Sequence, residues 1–186
     1  MPASVLLGLK VLTRGRSGIV MAPEWLHEEL RGYVDAHQAK RARGKKGDRV
    51  ENGAGRIHGL MQAGCDNGFR VSQAAGFLVS EGRHPTGLVS SPRDVMLLAF
   101  KADQYRIYGG FLDRGESQCY LAVLSDTAKQ NNKANQALLK RAAKDLGSYL
   151  AESGANPLRP GEVWPRVDRN HEHVSFSNVR SKADDC

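Results

Sequence analysis

The chain has 186 residues, 40% of them hydrophobic, and a formal net charge of +7. That length and apolar content suit one domain with extensions rather than two full domains. The charge favours phosphate-rich partners such as nucleic acid, the ribosome or an anionic membrane, and no apolar run approaches the roughly 20 residues a membrane span needs, so no membrane-embedded role is expected. Cys65, Cys119 and Cys186 are far apart and odd in number. They offer neither a zinc spacing nor a disulfide framework, which fits a reducing, cytoplasmic compartment. Lys10, Arg14 and Arg16 interrupt the apolar residues near the start, which therefore lack the order of a secretory signal.

Met1–Val20 has no clear period beyond a short strand near Val5–Leu12. With Met21 as an alternative start, residues 1–22 read as an N-terminal extension. A helix is expected from Pro23 to about Ala42. Pro23 suits a first helical turn, Glu24 opposes the positive end of the helix dipole, and Leu26, Leu30, Tyr33, Val34 and His37 recur at helical spacing. Lys40–Val50 sets six cations against Asp48 alone, with two glycines. It reads as a loop, either a phosphate grip in which Lys45 and Lys46 take part or a solvated linker. A second helix is expected from Asn52 to about Cys65, with Asn52 as N-cap and Gly68 as stop, although each interior glycine costs about 1 kcal/mol.

Phe69–Ser91 reads as irregular, with a helical turn at Ser72–Val79. Stronger signals follow. Val95–Phe100 (VMLLAF) is a continuous apolar run of strand length, as in a strand covered on both faces. Tyr105–Leu112 is a second strand, with Gly109 and Gly110 marking a bulge or bend. After the hairpin loop Asp113–Ser117, Cys119–Leu124 is a third, completing an antiparallel meander. A helix is expected from about Lys133 to Glu152, striped by Leu138, Ala142, Leu146, Tyr149 and Leu150, with Gly154 as its C-cap. Residues 154–186 carry Pro157, Pro160 and Pro165 among many charges and read as an extended tail. Val163, Trp164 and Val174–Phe176 are its candidate docking points. The expectation is an α+β domain over 23–153: two N-terminal helices, an antiparallel meander and a C-terminal helix, followed by the tail.

Side chains alternate across a strand, so Arg106 and Tyr108 share one face of the second meander strand and Tyr105 and Ile107 the other. With the terminal helix assigned to the Tyr105/Ile107 face, Arg106 and Tyr108 are expected on an open face. There a guanidinium can fork onto phosphate and a ring can stack on a base. No P-loop, G-x-S-x-G or H-E-x-x-H motif is present. His171 and His173 lack a third ligand, so no metal or other cofactor is expected.

The segment LLAFKADQYRIYGGF, followed by SDTAKQNNKANQALLKRAAKDL, resembles the RelE/HigB toxin family. The likeness covers roughly Val95–Leu150: a strand ending in a basic turn, a strand with arginine in a "YR-aliphatic-aromatic" setting, a third strand, a lysine-containing segment and a last helix. The chain departs from that family in its basic insertion at Lys40–Val50 and its long tail, and the family's basic pair after the last strand stands here as Ala128–Lys129–Gln130.

The resemblance implies a metal-independent endoribonuclease that cleaves mRNA at the ribosome and is neutralised by an antitoxin protein, expected to be of helix-turn-helix type. In such chemistry the ribose 2′-hydroxyl attacks the adjacent phosphate, and cations stabilise the transition state. Arg106 would take the stabilising role, with Lys101 and Lys129 supplying charge or moving protons. Tyr105 or Tyr108 would stack a base, and Asn131, Asn132 and Lys133 would hold the backbone. The other reading keeps the fold without catalysis, as a phage or nucleic-acid-associated structural protein assembling through its tail.

Overall fold

The computed structural model describes residues 8–69, 76–89, 93–112, 118–127 and 135–153. Its elements are β1 (Leu9–Arg14), β2 (Gly18–Pro23), α1 (Glu24–Ala42), α2 (Arg49–Asn67), β3 (Leu78–Pro85), β4 (Asp94–Ala102), β5 (Tyr105–Leu112), β6 (Gln118–Asp126) and α3 (Gln136–Ser153). The fold is α+β, with a six-stranded sheet ordered β1-β2-β6-β5-β4-β3. β2 runs parallel to β6 and every other pairing is antiparallel, so the sheet is mixed.

The two early helices form where their apolar spacing places them. α1 carries Leu26, Leu30 and Val34 on its buried stripe. α2 starts earlier than expected, because Asp48, not Asn52, caps it. The Asp48 carboxylate accepts from the amides of Val50 and Glu51, while Glu51 accepts from the Asp48 amide, a capping box. Gly68 ends the helix at φ 88°. The interior glycines of α2 are there for proximity. A Cβ on Gly53 would sit 2.6 Å from the Ala102 carbonyl oxygen and 2.8 Å from the Tyr105 Cβ. Gly53→Ala is therefore expected to destabilise the protein by about 1–3 kcal/mol through overpacking, despite alanine's better helix propensity of roughly 1 kcal/mol. Chemical denaturation checks this, and a stability gain would contradict the close packing of α2 on the β4–β5 turn.

The meander forms as β4, β5 and β6. Three further features differ from expectation. Residues 78–85 form strand β3 rather than an irregular stretch, its alternation broken by a bulge between Ser80 and Gly82, with Gly82 at φ 91°. The described part of the expected N-terminal extension, from residue 8, belongs to the sheet: β1 and β2 form a hairpin, and all six residues of β2 are buried beside β6. The sheet is also covered on both faces. α1 and α2 pack one face, where Leu26, Leu30, Ile57 and Met61 meet Phe100, Tyr105, Ile107 and Tyr120. α3 packs the other, where Leu139, Ala142, Ala143, Leu146 and Leu150 meet Val95, Leu97, Ala99, Tyr108 and Leu121.

The glycines of β5 make this double covering possible. The register slips between Tyr108 and Gly109, leaving Val123 of β6 as the extra residue. A Cβ on Gly109 would fall 2.1 Å from the Leu121 carbonyl oxygen, and one on Gly110 2.7 Å from Leu146 of α3. The buried Tyr120 hydroxyl donates to the Leu98 carbonyl at 2.9 Å and lies 3.3 Å from that of Ile107. Its ring packs edge-on against Phe100 and Phe111. Among the described residues no helix is long and apolar enough to cross a membrane.

Candidate functional site

Strand register brings Lys101, Arg106 and Asp126 side by side on β4, β5 and β6, at the end where β6 leaves the sheet. They lie on the α3 side, because they alternate with residues packed under α1 and α2. The β3 bulge turns Glu81 toward them. Its carboxylate lies 2.7 Å from Lys101 Nζ and 3.7 Å from Arg106 Nη1. The His84 Nε2 is 3.0 Å from the Glu81 carbonyl oxygen, tying the bulge down. Tyr108 is the next side chain along this face of β5.

The cluster is closed. The Arg106 side chain is 1% exposed, Glu81 11% and Lys101 25%, and Asp126 is buried. Burial raises the Tyr108 pKa; Arg106 opposes that rise, while Asp126 and Glu81 add to it. Two cations face two carboxylates, so the cluster is formally neutral. A phosphate placed here would also meet those carboxylates, each repelling one negative charge by about 4 kcal/mol at 4 Å and an effective dielectric of 20.

This corrects the expected open face. Tyr105 and Ile107 do share a face, but α1 and α2 cover it. α3 covers the Arg106/Tyr108 face, so neither is open. Arg106 has no path to a polynucleotide in this arrangement. Tyr108 is fully buried and presents no ring to a base. Tyr105 is equally buried: its hydroxyl donates to Glu29 at 3.0 Å and its ring packs edge-on against Tyr33. Burial and then Glu29 raise its pKa. Lys101 keeps partial access but is engaged by Glu81. Lys129, Asn131, Asn132 and Lys133 lie outside the described residues, as do His171 and His173. In the described residues on either side of the first four, Asp126 faces Arg106 and the Asn135 side chain accepts from the Ala137 amide at the start of α3.

Glu81 and Asp126 are the members of the cluster that sequence reasoning missed. Asp126 carried a signal: the third meander strand, extended two residues past Leu124, puts it opposite Arg106. Glu81 carried none, because the bulge that aims it also erased the strand period around it.

A different cationic feature stays open. The turn between α1 and α2 presents Arg43, Lys45, Lys46 and Arg49, all exposed. Asp48 is committed to capping α2. Below the turn, Lys40 Nζ holds the Glu51 carboxylate at 2.6 Å and so ties the end of α1 to the start of α2. Gly44, at φ 67°, permits the tight exit from α1.

Cys119 is buried in the core, and Cys65 is buried beside Thr13, whose hydroxyl donates to its sulfur at 3.0 Å. Burial pushes the Cys65 thiol pKa up, so neither sequence nor geometry makes it a nucleophile. Comparison of the chain with protein families, with curated proteins and with solved structures finds no match.

Proposed function

We propose that this protein associates with nucleic acid without catalysis, on a RelE/HigB-like framework, and holds the phosphate backbone through the α1–α2 turn. The observation that carries this reading is the contrast between two sets of cations. Of those on the sheet, Arg106 is buried and Lys101 is held by Glu81, with Asp126 facing Arg106 across the strands, whereas Arg43, Lys45, Lys46 and Arg49 stand exposed around a capped helix start. Such a turn recognises charge and not base sequence. Replacing Lys45 and Lys46 by alanine is expected to weaken RNA binding equally across sequences. It is also expected to flatten the dependence of log affinity on log salt by about 1.4 on a single strand, two contacts at roughly 0.7 each. An unchanged salt slope in the folded double variant rejects the turn as the binding surface.

A second reading is the toxin itself, cleaving mRNA at the ribosome and held by a helix-turn-helix antitoxin in the cytoplasm. What supports it is the antiparallel run β3 to β6 with α1 and α2 before it and α3 after it, to which this chain adds the leading β1–β2 hairpin. The strand that leads toward Lys129, Asn131, Asn132 and Lys133 in the sequence, β6, also ends with Asp126 facing Arg106. In this reading the reacting groups come from those four residues and from Lys101, and Arg106 holds the platform. Primer extension on mRNA from cells expressing the parent chain or its Lys129→Ala variant tests it. Cut sites that depend on Lys129 would support the enzyme; their absence from the parent leaves the binding reading.

A further inference from the structure

A groove of about 370 Å³ runs along α3, lined by Pro23, Trp25, Val123 and Tyr149, with Arg141, Asp145, Ser148 and Glu152 on the α3 side. Trp25 is 44% exposed, one of few large apolar side chains so open among the described residues. The groove accounts for none of the binding argued above and lies apart from the α1–α2 turn. Its α3 wall ends at Glu152, one residue before the helix itself ends at Ser153. The sequence that follows, GANPLRPGEVWPR, has three prolines, a residue disfavoured in helix interiors. It carries the apolar pair Val163–Trp164, beginning ten residues after Ser153.

We propose that Val163–Trp164 of the same chain occupies this groove, with the tail folding back antiparallel to α3 and packing its indole against Trp25 and Tyr149. The reach is sufficient. From Arg141 to Glu152 the wall is about 17 Å long at 1.5 Å per helical residue, and ten residues of extended chain cover up to about 31 Å at 3.1 Å each. A proline-rich strand has little conformational freedom to lose on docking. Tethering also raises its local concentration to about the millimolar range, so it outcompetes a second copy at ordinary protein concentrations.

The chain has two tryptophans, Trp25 and Trp164, which makes the test direct. In full-length protein carrying Trp25→Phe, Trp164 is the sole indole. It is expected to emit to the blue of a solvated indole and to be shielded from acrylamide, and Ser148→Glu, which places a charge in the groove, is expected to abolish both effects. The reciprocal reporter guards against misfolding of that variant: with Trp164→Phe, Trp25 is expected to become more quenchable when Val163→Asp is added in the tail, outside the packed core. Free quenching of Trp164 in the folded protein overturns the proposal. Shielding that rises with protein concentration also overturns it, assigning the groove to the tail of a second copy.

Discussion

Arg106→Ala is expected to destabilise the fold by about 3–5 kcal/mol, because it removes a fully buried guanidinium from beside the Glu81 carboxylate and from the strand position facing buried Asp126. Against a total stability of about 5–15 kcal/mol for a domain, that is a large share. Chemical denaturation at neutral pH measures it. Arg106→Met combined with Glu81→Gln is expected to recover part of the loss, since removing both partners leaves less uncompensated charge than removing one. A folded Arg106→Ala protein as stable as its parent would falsify the structural role assigned to the cluster. This result bears on every activity assay. Loss of a cellular effect in an Arg106 variant reports unfolding before it reports chemistry, so tests of function belong on exposed groups such as Lys45 and Lys46.

A chain starting at Met21 is expected not to fold. It lacks β1 and the first half of β2, including the buried Ile19 and Val20. Each of those side chains contributes roughly 1.5–3 kcal/mol by burial. Three of the four register pairs of the parallel ladder, Gly18–Val20 with Gln118–Tyr120, are lost with them, exposing the edge of β6. The sum approaches the whole stability of a domain. Circular dichroism and the soluble yield of the shortened chain check this. A cooperative unfolding transition like that of the full chain would show that β2 is dispensable to the sheet.

The two outcomes separate what was readable from what was not. Helical spacing in α1 and α3 and the meander strands β4, β5 and β6 were legible, because period and length are local properties. The parallel pairing of β2 with β6 was not: the partners are about a hundred residues apart and the intervening sequence does not encode their meeting. The sequence does carry a signal for the face of Arg106. VMLLAF shows no alternation, which means cover on both faces of β4, and its neighbour β5, buried at every position, shares that cover. Treating Arg106 as exposed required an open face next to a closed one in the same sheet. The basic turn was legible as charge. Its anchoring by Asp48 and Lys40–Glu51 was hidden because α2 begins inside what composition reads as a loop.

The pairing of β2 with β6 also sets a timetable for synthesis. Met21 touches Cys119, a partner translated 98 residues later. At roughly 5–20 residues per second the ribosome needs about 5–20 s to deliver it. For that interval the Gly18–Pro23 segment is out of the exit tunnel with its apolar side chains uncovered, a natural client for a nascent-chain holdase. Slowing elongation downstream of residue 23 is therefore expected to lower the yield of native protein.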